Sequence, residues 1–146
     1  MPVSIEQDIL VYAPITIVWT MLTDIGEWKR WNPRVKSSTI NDELKIGSGF
    51  RCRAPCMATH NEIHGLKINE RIAWHGSQLG KKTNYRWHLE AQSRGVQVHV
   101  RAEQTGWRAD WFKGAGSKKL KENLMFWLAT IKAEAERNSD FYQSIM

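Results

Sequence analysis

Cysteine is nearly missing from this chain. The only two, Cys52 and Cys56, exclude a disulfide framework, and along an extended strand their Cα atoms would stand roughly 13 Å apart, beyond bridging range. They read as free thiols unless a bulge at Pro55 draws them together. No apolar run reaches the roughly 18 residues of a membrane-spanning helix, and the opening MPVSIEQDILVY has no basic segment leading into an apolar one. A cytoplasmic protein is expected. No G-x-S-x-G elbow, P-loop or G-x-G-x-x-G occurs, and Gly47-Ser48-Gly49 has the spacing of a hairpin rather than a phosphate cradle. Internal repeats and low-complexity linkers are absent as well.

What is present is ordinary in bulk and unusual in detail. With 146 residues, 42% of them hydrophobic and 25% charged, the sequence suits one domain, 1–146, with a sizeable core. It has eight tryptophans, three of them within VWTMLTDIGEWKRWNP, residues 18–33. The net charge of +6 and the clusters Lys81-Lys82 and Lys118, Lys119 and Lys121 raise the question of a nucleic-acid partner. Glu122, Glu134 and Glu136 answer the lysines along the same segment, which reads as a solvated face, so nucleic acid is not an expected partner.

The patterning predicts the order of elements. Val3, Ile5, Gln7, Ile9 and Val11 alternate as a half-buried strand. Ala13-Pro14 breaks it, Pro14 suits a first helical turn, and Ile17, Val18, Met21 and Leu22 follow at helical spacing. Asp24 can cap a short second helix carrying Trp28, which must stop before Pro33. Then come strands at 35–40, 50–53, 59–69 with a bulge at Gly65, 71–77, 83–91 and 96–103, joined by turn signals that include Leu79-Gly80-Lys81-Lys82 and Ser93-Arg94-Gly95. Leu120, Leu124, Trp127, Leu128, Ile131 and Ala135 recur at three- and four-residue steps as a long amphipathic helix. The class is α+β: about seven antiparallel strands, one apolar face wanting a cover, and a helix to cover it.

Four short motifs in this order resemble the SRPBCC superfamily of START-like domains and polyketide cyclase/dehydrases, over essentially the whole chain. They are Ala13-Pro14 with Val18-Trp19; Asp24 with Trp28 and Trp31-Asn32-Pro33; Ile72-Ala73-Trp74-His75-Gly76; and Tyr85-Arg86-Trp87-His88-Leu89 leading through Val96 to Gly106. The resemblance implies a helix-grip fold, a curved sheet wrapped around the C-terminal helix, with a deep apolar cavity between them. Members carry lipids or hormones, cyclise and dehydrate poly-β-ketones, or bind a client protein. It also implies that the short second helix, with Trp28 and Trp31, passes near the cavity entrance.

On that frame the expected cavity residues are Trp31; Phe50 and Cys52 on one strand; Trp74; Tyr85, Trp87 and Leu89; Val98; and, from the helix, Leu120, Leu124, Trp127 and Leu128. The ligand is a hydrophobic small molecule, flat or unsaturated because indole faces stack. No cofactor and no metal are expected: in His60-x-Glu62-x-His64 the two imidazoles would lie roughly 13 Å apart on a strand, too far to share an ion. If the protein is an enzyme, Tyr85 and His60 are the candidate acid/base groups of a cyclase or dehydratase. A non-catalytic carrier or sensor, and a protein-interaction module, remain the alternatives. A monomer or homodimer fits equally.

Overall fold

The computed structural model describes residues 3–78, 80–111 and 113–145, without the side chains of 108, 110, 113 and 140–145. In chain order the elements are β1 (Val3–Val11), α1 (Ile15–Thr23), a 3₁₀ turn (Ile25–Glu27), α2 (Trp28–Trp31), β2 (Ser37–Ile40), β3 (Gly49–Arg53), β4 (His60–Lys67), β5 (Arg71–Gln78), β6 (Lys81–Gln92), β7 (Gly95–Thr105), α3 (Trp107–Trp111) and α4 (Lys113–Ile145). The strands form one antiparallel sheet in the order β1-β7-β6-β5-β4-β3-β2. This is the expected helix-grip arrangement.

Several boundaries differ from the sequence pattern, each for a local reason. β2 does not begin at Val35, whose N–H turns back to the Asn32 carbonyl at 3.1 Å. β4 stops at Lys67 because Asn69 takes φ +59° and the Glu70 N–H closes a turn on the Lys67 carbonyl. β6 starts earlier, at Lys81; Leu79 of the expected turn lies outside the described residues. Asp24 precedes the 3₁₀ turn without a side-chain cap. Gly114-Ala115-Gly116 forms part of α4, where the cost of about 1 kcal/mol per helical glycine is offset by the long helix that continues beyond it. The expected bulge is present as a register shift between Ile63 and Gly65.

The register sorts the concave face into crosswise rows. One row runs Asn61, Gly76, Thr83, Gln104, Val3; the next Ile63, Trp74, Tyr85, Ala102, Ile5; the next Ile72, Trp87, Val100, Gln7. Alternation does this: the intervening residues, His75, Asn84, Arg86, His88, His99 and Arg101, point to the outer face. Over the inner face lies α4, with Leu120, Leu124, Trp127, Leu128, Ile131 and Ala135 all buried, as their spacing predicts.

Polar contacts set the helix in place. The Glu136 carboxylate accepts from the Tyr12 N–H at 3.0 Å and from Lys132 Nζ, which also donates to the Leu10 carbonyl. Arg30 of α2 reaches Glu134 of α4. The end of β1 and the short helices are thereby tied to one stretch of α4.

Gly76 is required by the row it sits in. A β-carbon there would lie 2.7 Å from both the Ala58 methyl carbon and the His60 carbonyl oxygen and would collide with Asn61 Oδ1. At Gly26, by contrast, a β-carbon meets nothing within 4 Å. Gly76→Ala is therefore expected to lower the unfolding free energy by about 1–3 kcal/mol, as overpacking does. Gly26→Ala should leave it nearly unchanged, both read from urea denaturation midpoints.

Candidate functional site

The centre of the grip is a nest of aromatic rings around Trp28. Its indole meets Phe50 and Trp127 edge-on, with centroids 5.4 and 5.2 Å away, and Trp74 at 5.3 Å in a tilted contact. Trp31 stands edge-on to Trp127 at 5.6 Å, and Trp74 continues the wall to Tyr85 at 5.8 Å and Trp87 at 6.3 Å. Trp28 is fully buried and its N–H donates to the Leu22 carbonyl at 3.2 Å. It is thus the hub of the nest rather than a lip of the entrance. Sandwiching a flat ring between two others needs about 7 Å, twice the carbon contact distance. The rings around Trp28 are too close for that.

The structure brings together most of the predicted wall. Phe50, Trp74, Trp87, Trp127 and Trp31 touch one another; Leu89 and Val98 form the next row of the sheet; Leu120, Leu124 and Leu128 face them from α4. Cys52, 1% exposed on the inner face of β3, has its thiol pKa pushed up to about 12 by burial, which leaves it protonated and a poor nucleophile. Tyr85 is buried beside Trp74, and its hydroxyl donates to the Cys56 carbonyl at 2.7 Å. Burial, with the two cysteines nearby, holds that hydroxyl protonated well above the ordinary tyrosine range.

His60 is elsewhere. It is exposed on the outer face, at the rim of a recess of about 340 Å³ shared with Glu62, His75 and Ser77. The sheet separates it from Tyr85, so the two candidate acid/base groups share no site. Glu62 and His64 also face outward, and His64 packs against His75 with ring centroids 5.2 Å apart.

Sequence reasoning missed a polar set inside the grip. Asn61, Thr83, Gln104 and Asn123 are all at most 6% exposed. Thr83 and Gln104 continue the inward alternation of β6 and β7, and Asn123 falls at helical spacing between Leu120 and Trp127, so the periodicity that found their apolar neighbours also marks them. Four polar atoms in this interior have no partner among the described residues: Asn61 Oδ1, Trp74 Nε1, Trp87 Nε1 and Asn123 Oδ1. An unpaired buried donor or acceptor costs about 1–3 kcal/mol. Among the described residues no carboxylate, imidazole or amine is buried.

The profile of the family described as polyketide cyclase / dehydrase and lipid transport matches residues 2–136. The chain belongs to this family, a branch of the SRPBCC or START-like group. Its fold is similar to that of a hypothetical protein from Helicobacter pylori (TM-score 0.77, 16% identity, 92% of this chain and 88% of that one). It is also similar to the Zhui aromatase/cyclase from Streptomyces sp. R1128 (0.76, 16%, 94% and 95%) and to a START superfamily protein from Mycobacterium smegmatis (0.73, 15%, 92% and 97%). At these identities the likeness is one of fold. No curated protein matches the sequence.

The two thiols should differ sharply in reactivity. Cys56 is partly exposed in the turn after Pro55, while Cys52 is buried and protonated. With an aromatic disulfide reagent near neutral pH, one thiol is expected to react in the native protein. The second should appear only as the protein unfolds, and a Cys56→Ser variant should show no native-state reaction.

Proposed function

We propose that the protein binds a hydrophobic, unsaturated small molecule that carries oxygen atoms, held between the sheet and α4. The observation that carries this reading is the pair of buried, unpartnered indole N–H groups of Trp74 and Trp87, together with Asn123 Oδ1. Two donors and an acceptor fit the carbonyl and hydroxyl groups of a polyketide-like ligand and have no use for a plain acyl chain. Phe50, Leu120, Leu124 and Trp127 supply the apolar wall, while Leu89 and Val98 lie two rows beyond Tyr85, on the far side of the nest. Because the rings around Trp28 leave no slot, the ligand's place is beside them, toward the row of Thr83 and Gln104 and the first turns of α4.

Carriage or sensing is the reading favoured over catalysis, because the interior groups that titrate, Tyr85 and Cys52, are both held protonated and neither offers a base. Cyclase or dehydrase action stays as the second reading, supported by the family and by Tyr85. There Tyr85 would exchange its bond to Cys56 for one to a substrate carbonyl, and the base would come from outside the buried set.

Quenching of tryptophan fluorescence by a dihydroxyanthraquinone, compared with palmitate, tests the reading. The quinone is expected to bind more tightly. The double substitution Trp74→Phe/Trp87→Phe should weaken it about tenfold or more, for two lost hydrogen bonds of about 1 kcal/mol each, and leave palmitate unaffected. Preference for palmitate, or indifference to the substitutions, contradicts it. Tyr85→Phe separates the two readings: a carrier loses only stability, whereas a cyclase loses turnover of a poly-β-ketone.

A further inference from the structure

Two tryptophans take no part in the interior. Trp107 is 52% exposed and Trp111 76%, one turn apart on α3, with their rings edge-on at 5.7 Å. Their place is fixed by Gly106, which has φ +108° and sits so close to the β5–β6 turn that a β-carbon would strike the Gly80 carbonyl. β7 can therefore run straight into α3 only with glycine there. α3 packs against β6, whose first residues are Lys81-Lys82, and against α4, in whose early turns Lys118, Lys119 and Lys121 are exposed. Residues 106–122 carry five cations, Arg108, Lys113, Lys118, Lys119 and Lys121, against two carboxylates, Asp110 and Glu122.

We propose that this end of the molecule docks peripherally on an anionic lipid surface. Indole is amphipathic and settles at the headgroup level, and lysines around it add attraction to anionic lipids. The pair protrudes into solvent, which suits insertion among headgroups better than a protein contact. The flanking described cations are lysines, point charges suited to a diffuse negative surface, whereas arginine is the usual choice for a matched protein interface. No helix among the described residues is long and apolar enough to cross a membrane, so the contact is with the surface. The row of Thr83 and Gln104 lies at the same end of the sheet, beneath the start of α4, with a β-carbon at Gly116 reaching 3.9 Å from Gln104 Oε1. Docking there would bring the polar end of the interior to the lipid.

Co-sedimentation of the full chain with vesicles tests the proposal, using pure phosphatidylcholine and phosphatidylcholine mixed with phosphatidylserine, at low and high salt. Binding is expected on the phosphatidylserine vesicles, weakened by salt. Trp107→Ala/Trp111→Ala should reduce it about tenfold or more, and Lys118→Ala/Lys119→Ala/Lys121→Ala about a hundredfold. All substituted side chains are exposed, and circular dichroism melts check that both variants stay folded. Absence of phosphatidylserine-dependent binding, or binding indifferent to the indoles, overturns the proposal. So does concentration-dependent dimerisation that the tryptophan variant abolishes, or binding to polyglutamate but not to vesicles. The former would assign the patch to a second copy of the chain and the latter to an acidic protein.

Discussion

The indole of Trp28 is the contact on which the rest of the molecule depends. It lies on a helix of four residues, which has no stability of its own, and it meets the sheet through Phe50 and Trp74 and the long helix through Trp127. Its N–H is anchored to the carbonyl of Leu22 at the end of α1. One side chain therefore joins the three parts of the grip: sheet, connecting helices and covering helix. The α2–α4 ion pair between Arg30 and Glu134 lies at the surface, where such pairs contribute at most about 1 kcal/mol. Burial of a large ring among other rings is the stronger tie.

Closing the centre in this way has a consequence for function. The aromatic nest fills the centre of the grip, and the ligand proposed above would sit at its flank. There the sheet presents amides, hydroxyls and indole N–H groups in place of more hydrocarbon. Among the described residues the set is neutral and without a buried charge, and several of its donors and acceptors are unpaired, which on the proposed reading suits recognition of carbonyl and hydroxyl groups better than proton abstraction. Specificity in such a site comes from unpaired polar atoms that a ligand lacking the matching group leaves unsatisfied.

Much of this was legible in the sequence because both periodicities were clean. Period two in β6 and β7 and the three- and four-residue steps of α4 placed Trp87, Leu89, Val98, Leu124 and Trp127 on the inner faces, where they are. What was not legible followed from position rather than pattern. Trp28 and Trp31 share a helix of one turn, too short for periodicity to say which ring points inward, and the family resemblance put both near the entrance. His60 and Tyr85 were each put forward by residue type, yet Tyr85 lies on the concave side and His60, with Glu62 and His64, on the convex. Asn123 was passed over because a polar residue in an apolar stripe is easily read as an interruption; here it is part of the buried set.

The central claim is that Trp28 holds sheet and helices together. Urea denaturation of Trp28→Ala followed by far-ultraviolet circular dichroism tests it most directly. The predicted result is a loss of about 3–5 kcal/mol in unfolding free energy, as for burial lost by a large core aromatic. A variant that unfolds cooperatively within about 1 kcal/mol of the unmodified protein would contradict it, for it would show that the grip closes without its hub.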